Sequence, residues 1–186
     1  VYSFMDEFYR NHGGSAGRGD YALARSAKGV IEETRNLLKE LLHCPAKQVV
    51  FTPTATIALN MIIQGMIIGG VRNVYISPFE HNAVTRTLHH FERSGVVTVT
   101  DLSVSDSLQY DIPRIRYQFE ELKPDLIIVS HASNVIGLVA PVEEIFSLGK
   151  TYGAVTLVDM AQTAGLVDLN AGLETVDFAV FAGHKT

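Results

Sequence analysis

Residues 125–159 of this 186-residue chain read DLIIVSHASNVIGLVAPVEEIFSLGKTYGAVTLVD, and this stretch decides the fold. It begins with the apolar run Asp125–Ser130, continues with helical spacing over Val142–Tyr152, and ends with a second apolar run, Val155–Asp159. Two short apolar strands joined by a helix form a βαβ unit, in which the strands are parallel. The stretch therefore predicts an α/β protein.

The same alternation of strands and helices extends in both directions. Further strands are predicted at Gln48–Thr52, Asn73–Ser77, Val96–Thr100 and Asp177–Phe181. Further helices are predicted at Ala22–Leu42, Thr54–Ile68, Asn82–Ser94 and Ile112–Leu122. The pattern predicts a mostly parallel sheet with helices on both faces. In such sheets ligands bind at the carboxyl ends of the strands.

Composition narrows the class of protein. The chain is 47% hydrophobic, yet no apolar run reaches the roughly 18 to 20 residues that span a bilayer, so we expect a soluble protein. A formal net charge of −5 gives no basic surface for nucleic acid. The single cysteine, Cys44, fits a reducing compartment, and we expect the cytoplasm. The chain starts at Val1 without a methionine or a signal-peptide pattern, so we expect that its beginning is missing.

Polar residues follow three of the predicted strands directly. Asn134 follows one strand, Asp159 closes the next, and Lys185 follows the last. A lysine amine condenses with an aldehyde to form a Schiff base, and a buried carboxylate keeps a pyridine nitrogen protonated. Lysine and aspartate are common residues, and alone they more often form a surface ion pair. The surrounding motifs therefore decide the interpretation.

Three segments carry a family resemblance: SHASNVIG at 130–137, VDMAQTAG at 158–165 and GHK at 183–185. In this order they resemble the class V aminotransferase family, within it the cysteine desulfurase and selenocysteine lyase branch. The resemblance runs from about Tyr9 to the last residue. It implies a pyridoxal 5'-phosphate enzyme that works as a homodimer on a small amino acid and can pass sulfur to an acceptor protein. Aminotransfer on another amino acid, or a binding scaffold without catalysis, remain alternatives.

The resemblance implies that the cofactor phosphate lies at the start of the helix capped by Thr54. A helix start offers unpaired N–H groups and the positive end of the helix dipole, although an ordinary capped helix would look the same. Ala55, Thr56 and His184 match phosphate-binding positions of the family. Where Ala182 stands the family usually has serine, so one phosphate donor is absent.

Five residues match the family positions around the cofactor ring. His81 would stack on the ring and move protons, and Asp159 would face the ring nitrogen. Asn134 and Gln162 would approach the phenolic oxygen. Lys185 would form the Schiff base and then move the substrate's α-proton. The resemblance thus implies Lys185, His81 and Asp159 as the catalytic residues.

A glycine-rich segment supports a weaker alternative. Gly17, Gly19 and Ala22 have the loose spacing of a dinucleotide-binding loop, but that loop should follow a strand, and Asp6–His12 is too polar for one. In desulfurases a pair resembling Arg18 and Gly19 approaches the active site across the dimer interface.

The resemblance also sets an expectation about the extent of the chain. Residues 1–186 would be the N-terminal part of the large cofactor-binding domain, without the C-terminal domain. The substrate-binding arginine and the sulfur-accepting cysteine of the family would lie in the part that is absent, so residues 1–186 alone would be inactive. Cys44 does not match that cysteine. His89 and His90 lie on a predicted amphipathic helix, and no metal site is predicted.

Overall fold

A computed structural model describes residues 1–185. These residues divide into two compact units, Val1–Val49 and a second unit that begins at Val50, and each is described by itself. None of the helices within residues 1–185 combines the length and the apolar character needed to cross a membrane.

The first unit contains two helices, α1 (Tyr2–His12) and α2 (Ala22–Leu41). His12 Nδ1 lies 2.7 Å from Ser26 Oγ and links them. The glycine-rich segment joins these two helices, so it follows a helix and not a strand. A dinucleotide-binding loop needs a preceding strand, and that alternative is therefore wrong.

The second unit is an α/β sheet structure, as the alternation predicts. Its helices are α3 (Ala55–Ile68), α4 (Asn82–Arg93), α5 (Ile112–Glu121) and α6 (Val142–Lys150). Its strands are β1 (Asn73–Ile76), β2 (Thr98–Asp101), β3 (Leu126–Ser130), β4 (Val155–Asp159) and β5 (Phe178–Val180). All neighbouring strands pair in parallel, in the order β2-β1-β3-β4-β5.

Alternating side chains of the strands pack on opposite faces of the sheet. Val74 and Ile76 of β1 belong to the buried cluster that includes Leu59 of α3 and Leu88 of α4. Tyr75 points to the other face, where its ring packs edge-on against Phe119 of α5 at 4.9 Å between centroids. Each such buried side chain stabilises the fold by about 1.5–3 kcal/mol.

Helix α6 lies unusually close to β3. A Cβ atom placed on Gly149 would be only 2.2 Å from Cδ1 of the buried Ile127. The absence of a side chain at Gly149 therefore allows the helix to pack directly on the centre of the sheet.

One predicted strand is absent from the described residues: Gln48–Thr52 forms no strand. Its β-branched residues favour an extended backbone, but a strand also needs a hydrogen-bonded partner. Val50 is 73% exposed, so the segment does not have the burial of the five paired strands. A smaller difference is that β2 begins at Thr98, two residues later than predicted.

Carboxylates bind backbone N–H groups at the amino edge of the sheet, where the strands start. Asp125 Oδ2 accepts a hydrogen bond of 2.9 Å from the N–H of Asn73, the first residue of β1. Asp177 Oδ2 accepts one of 2.8 Å from the N–H of Thr156 in β4 and also pairs with Lys150 Nζ. These contacts fix the starts of two strands.

The opposite, carboxyl edge contains a crevice. From β1 the chain crosses to β2 on one side, then returns past β1 to build β3 on the other. The loops that leave β1 and β3 therefore diverge, and the gap between them is where ligands bind in open parallel sheets. The strand order thus predicts the position of the functional site.

Candidate active site

A cavity of about 250 Å³ opens at the carboxyl edge of the sheet, within the second unit. Its walls include every site residue that the sequence analysis names: Ala55, Thr56, His81, Asn134, Asp159, Gln162, His184 and Lys185. The fold thus gathers residues that are spread over 131 positions of sequence, from 55 to 185, counting both ends. What each residue can do chemically depends on its own surroundings.

The start of α3 forms one wall of the cavity. Thr54 caps the helix, because its hydroxyl accepts a hydrogen bond of 3.1 Å from the N–H of Ile57. The first intrahelical bond runs from the N–H of Ala58 to the Thr54 carbonyl. The N–H groups of Ala55 and Thr56 come before this bond, so they can bind an anion such as a phosphate.

His81 caps α4 with its imidazole ring. Its Nδ1 accepts a hydrogen bond of 3.1 Å from the N–H of Ala83. A neutral imidazole whose Nδ1 is an acceptor has its proton on Nε2. The ring is exposed towards the cavity and can donate a proton from that atom.

Asn134 is presented by a tight loop that follows β3. The Ser133 carbonyl accepts a 3.0 Å hydrogen bond from the N–H of Gly137, and Ser133 Oγ accepts a 3.3 Å bond from the N–H of Val135. Gly137 has φ +69°, a conformation that glycine adopts without strain. Asn134 is exposed on the loop and available to a ligand.

A buried contact links this loop to the turn that carries Gln162. His131 Nδ1 lies 2.9 Å from Thr163 Oγ1, and both side chains are buried. Burial lowers the pKa of His131, against the opposing charge of Glu143, which favours the neutral ring. This link was missed at the level of sequence, because neither residue belongs to the motif positions with assigned roles.

Asp159, the last residue of β4, is buried at the bottom of the cavity. Burial raises its pKa, while a 2.9 Å hydrogen bond from the N–H of Ala161 and the charges of His81 and Lys185 act in the opposite direction. Within residues 1–185 no ion pair neutralises Asp159. A cationic ring nitrogen beside it would lower the pKa and stabilise the carboxylate.

The segment after β5 completes the cavity. The N–H of Lys185 donates a 3.0 Å hydrogen bond to the carbonyl of Ala182, and both residues line the cavity together with His184. Ala182 is buried, so its methyl group occupies the wall where a serine would offer a hydroxyl. Lys185 itself is exposed and can reach an aldehyde.

Glu80 is the acidic residue that the sequence analysis overlooked. Its carboxylate accepts hydrogen bonds from both the N–H and the hydroxyl of Ser130, the latter at 2.8 Å. Burial raises the pKa of Glu80 to about 8, the bonds from Ser130 oppose this shift, and the charge of Asp159 adds to it. Its position three residues after the end of the predicted strand Asn73–Ser77 and directly before His81 was the available signal.

The residues present fit pyridoxal 5'-phosphate. A helix start suits the phosphate, a buried carboxylate that forms no ion pair within residues 1–185 suits the ring nitrogen, and an exposed lysine suits the aldehyde. Three distinct groups of one small molecule thus find matching chemistry around one cavity.

Curated relatives of this chain include cysteine desulfurases. It is 26% identical over 189 residues to a probable cysteine desulfurase of Halalkalibacterium halodurans, covering 100% of this chain and 46% of the relative. It is 30% identical over 190 residues to the cysteine desulfurase IscS of Anaeromyxobacter sp. (strain Fw109-5), with the same two coverages. The chain therefore spans about half the length of these relatives.

Solved structures give a similar result. The apo cysteine desulfurase of Thermococcus onnurineus NA1 superposes with a TM-score of 0.90 at 26% identity, over 99% of this chain and 46% of that protein. The family model described as Aminotransferase class-V matches residues 1–186. By this match over its whole length, the chain belongs to the class V aminotransferase family.

Proposed function

We propose that this chain carries the cofactor site of a pyridoxal phosphate-dependent enzyme that releases sulfur from L-cysteine, or selenium from selenocysteine, and leaves alanine. The observation that supports this most is the cavity that brings the buried Asp159 and the exposed Lys185 together at the carboxyl edge. The similarity to cysteine desulfurases favours this substrate class over others.

In the proposed mechanism each group of the protein has a defined role. Pyridoxal phosphate, when bound, supplies an electron sink that weakens bonds at the substrate's α-carbon. Asp159 keeps a proton on the ring nitrogen, because a carboxylate in a buried site strongly favours a cation beside it. Asn134 and Gln162, which also line the cavity, would orient the ring through their amide groups. Lys185 would hold the cofactor through Nζ and would then move the substrate's α-proton with the same atom.

Two further groups bind and donate protons. The N–H groups of Ala55 and Thr56, with the ring of His184, bind the phosphate and thereby fix the cofactor at its far end. His81 would stack on the ring, and because the N–H of Ala83 occupies Nδ1, Nε2 is the atom through which it would exchange protons during carbon–sulfur cleavage.

The proposal includes partners and a location. We propose a homodimer, and a thiol-bearing acceptor protein that takes the sulfur. We also propose a reducing compartment such as the cytoplasm, in agreement with a single buried cysteine, Cys44, that forms no disulfide.

A second candidate function is a cofactor-binding scaffold without turnover. The buried methyl group of Ala182 on the cavity wall favours it, because one phosphate donor is replaced by carbon. Loss of a hydrogen bond to a charged group costs about 1.5–3 kcal/mol of binding free energy if nothing replaces it. Aminotransfer on another amino acid has no such observation in its favour.

The deciding experiment supplies the full-length protein with pyridoxal phosphate, L-cysteine and a reducing thiol. We expect alanine and sulfide in equal amounts, and no turnover by residues 1–186 alone. Replacing His81 by alanine should abolish sulfide release, whereas His89→Ala, an exposed histidine of the same helix, should not. A new amino acid formed from an added keto acid without sulfide would favour aminotransfer. Cofactor binding without any product would favour the scaffold.

A further inference from the structure

We propose that Glu80 is a positioning residue that closes the crevice between β1 and β3 and thereby sets where His81 and Asp159 face the cavity. This proposal rests on the proposed cofactor site but concerns a residue outside the cavity lining. Among the described lining residues Ser130 is present and Glu80 is not, so Glu80 would act through Ser130 rather than by touching a ligand.

Strands β1 and β3 stop pairing at the edge of the crevice. The ladder between β1 and β3 runs to Ile76 opposite Ile128, and the N–H of Ser77 adds one more bond of 3.0 Å to the Ile128 carbonyl. Beyond this point the two loops diverge. The two hydrogen bonds that Glu80 accepts from Ser130 then reconnect them across the crevice.

Glu80 connects two of the proposed functional residues, His81 and Asp159. It directly precedes His81 in the loop, and it holds Ser130, which lies opposite Asp159 in the parallel ladder of β3 and β4. The next residue, His131, donates its N–H to the Asp159 carbonyl at 2.9 Å. Loss of the contact between Glu80 and Ser130 would therefore let the His81 loop and the end of β3 beside Asp159 move independently of each other.

The protonation of Glu80 determines which side chains could replace it. Burial raises its pKa to about 8, with Asp159 as the nearby like charge. Tyr110, whose hydroxyl lies 2.7 Å from Ser77 Oγ, is also near: burial raises its pKa to about 12, the bond to Ser77 opposes the rise, and the charge of Glu80 adds to it. At neutral pH Glu80 is therefore mostly protonated and its contact with Ser130 is one between neutral groups. A neutral isostere should reproduce that contact.

The variants follow from this chemistry. Glu80→Gln keeps an oxygen for the N–H of Ser130, and its amide can donate to the Ser130 hydroxyl. Glu80→Asp keeps the carboxyl group but is one methylene too short to reach Ser130. Glu80→Ala removes the contact. Asp125→Ala is the matched control, because it removes a carboxylate that binds a strand start at the opposite edge of the sheet.

Two measurements on the full-length protein test the proposal. The first is the dissociation constant of pyridoxal phosphate, which should rise at least tenfold in Glu80→Ala and Glu80→Asp and stay within about threefold of wild type in Glu80→Gln and Asp125→Ala. The second is amide hydrogen exchange in the cofactor-free protein, which should become faster at 81–84 and 130–134 in the same two variants only.

Each alternative result would overturn a defined claim. Unchanged exchange and affinity in Glu80→Ala and Glu80→Asp would overturn the role of Glu80, as would a Glu80→Gln variant no better than alanine. Equal losses of affinity in Asp125→Ala would show a general loss of stability instead. If the wild-type protein failed to bind pyridoxal phosphate, the proposed function would fall, whereas the exchange data would still decide whether Glu80 connects the two loops.

Discussion

The two edges of the sheet use the same chemical group for opposite purposes. At the amino edge Asp125 and Asp177 accept hydrogen bonds from backbone N–H groups, and Asp177 also pairs with Lys150. At the carboxyl edge burial raises the pKa of both Glu80 and Asp159, and the charge of Asp159 adds to the rise for Glu80. The ion pair of Asp177 with Lys150 belongs to the fold, whereas a buried acid with a raised pKa and no ion pair within residues 1–185 favours a positive ligand beside it.

Each edge also has a lysine, and replacing these two lysines should give the largest difference in cofactor labelling and turnover. Lys150 belongs to the amino edge and Lys185 to the cavity. Borohydride reduction of the full-length protein with pyridoxal phosphate should attach the cofactor to the peptide that contains Lys185. Lys185→Ala should abolish this label and all turnover, whereas Lys150→Ala should keep both. If another lysine carried the label, the assignment of Lys185 as the cofactor-binding lysine would be wrong.

Replacing one aspartate at each edge should give the next largest difference in turnover. Asp159→Asn should lower turnover at least thousandfold, equivalent to about 4 kcal/mol in the barrier, because an amide cannot keep the ring nitrogen protonated. Asp125→Asn should leave turnover within about threefold, since that residue lies at the other edge. The measurement is kcat of the two full-length variants with L-cysteine. Activity of Asp159→Asn within tenfold of wild type would contradict its role.

Asp177 should matter for stability instead. Its removal leaves the N–H of Thr156, a fully buried residue, without its acceptor, so Asp177→Ala should lower the free energy of unfolding by about 1–3 kcal/mol. Lys150→Ala should cost less, because the ion pair is about one-third exposed and therefore screened by water. Denaturant unfolding of both variants tests this order. Equal losses would mean that the ion pair is the main contribution.

Glu80 should also make the stability of the fold depend on pH. Because the pKa of Glu80 is about 8 in the folded protein and near 4.5 when unfolded, only the folded state holds the proton between these values. Stability therefore falls as pH rises through this window, by up to about 1.4 kcal/mol per pH unit for one group. Melting temperatures of cofactor-free wild type and Glu80→Gln should diverge between pH 5 and 8. Parallel curves would contradict the shifted pKa.

Much of the sheet was predictable because strands buried on both faces are continuous apolar runs. β3 was predicted as Asp125–Ser130 and forms over Leu126–Ser130, and β4 has the predicted bounds. The segment Gln48–Thr52 has the same kind of residues, yet forms no strand among residues 1–185. Composition alone does not reveal whether a partner strand is available.

The candidate site was predictable only in part, for a physical reason. Asn134 and Lys185 stand in recognisable motifs at strand ends, and the fold brings both to the cavity. Glu80, by contrast, has no assigned role in any of the motifs. Its environment is created by Ser130, 50 positions later in the chain, and this contact depends on which strands become neighbours. Strand order is a property of the whole packed sheet, and local sequence patterns do not contain it.

The uniformly parallel sheet also determines how the chain must fold. Parallel strands cannot be joined by a local hairpin, and all neighbouring strands of this sheet within residues 1–185 are parallel. The amino-edge contacts accordingly close long loops, of 52 and 21 positions. Such distant contacts slow folding, because the entropy of loop closure is lost before packing repays it. While the sheet is incomplete, unpaired strands can bind other copies of the chain. Slow synthesis and low concentration should therefore improve the yield of folded protein.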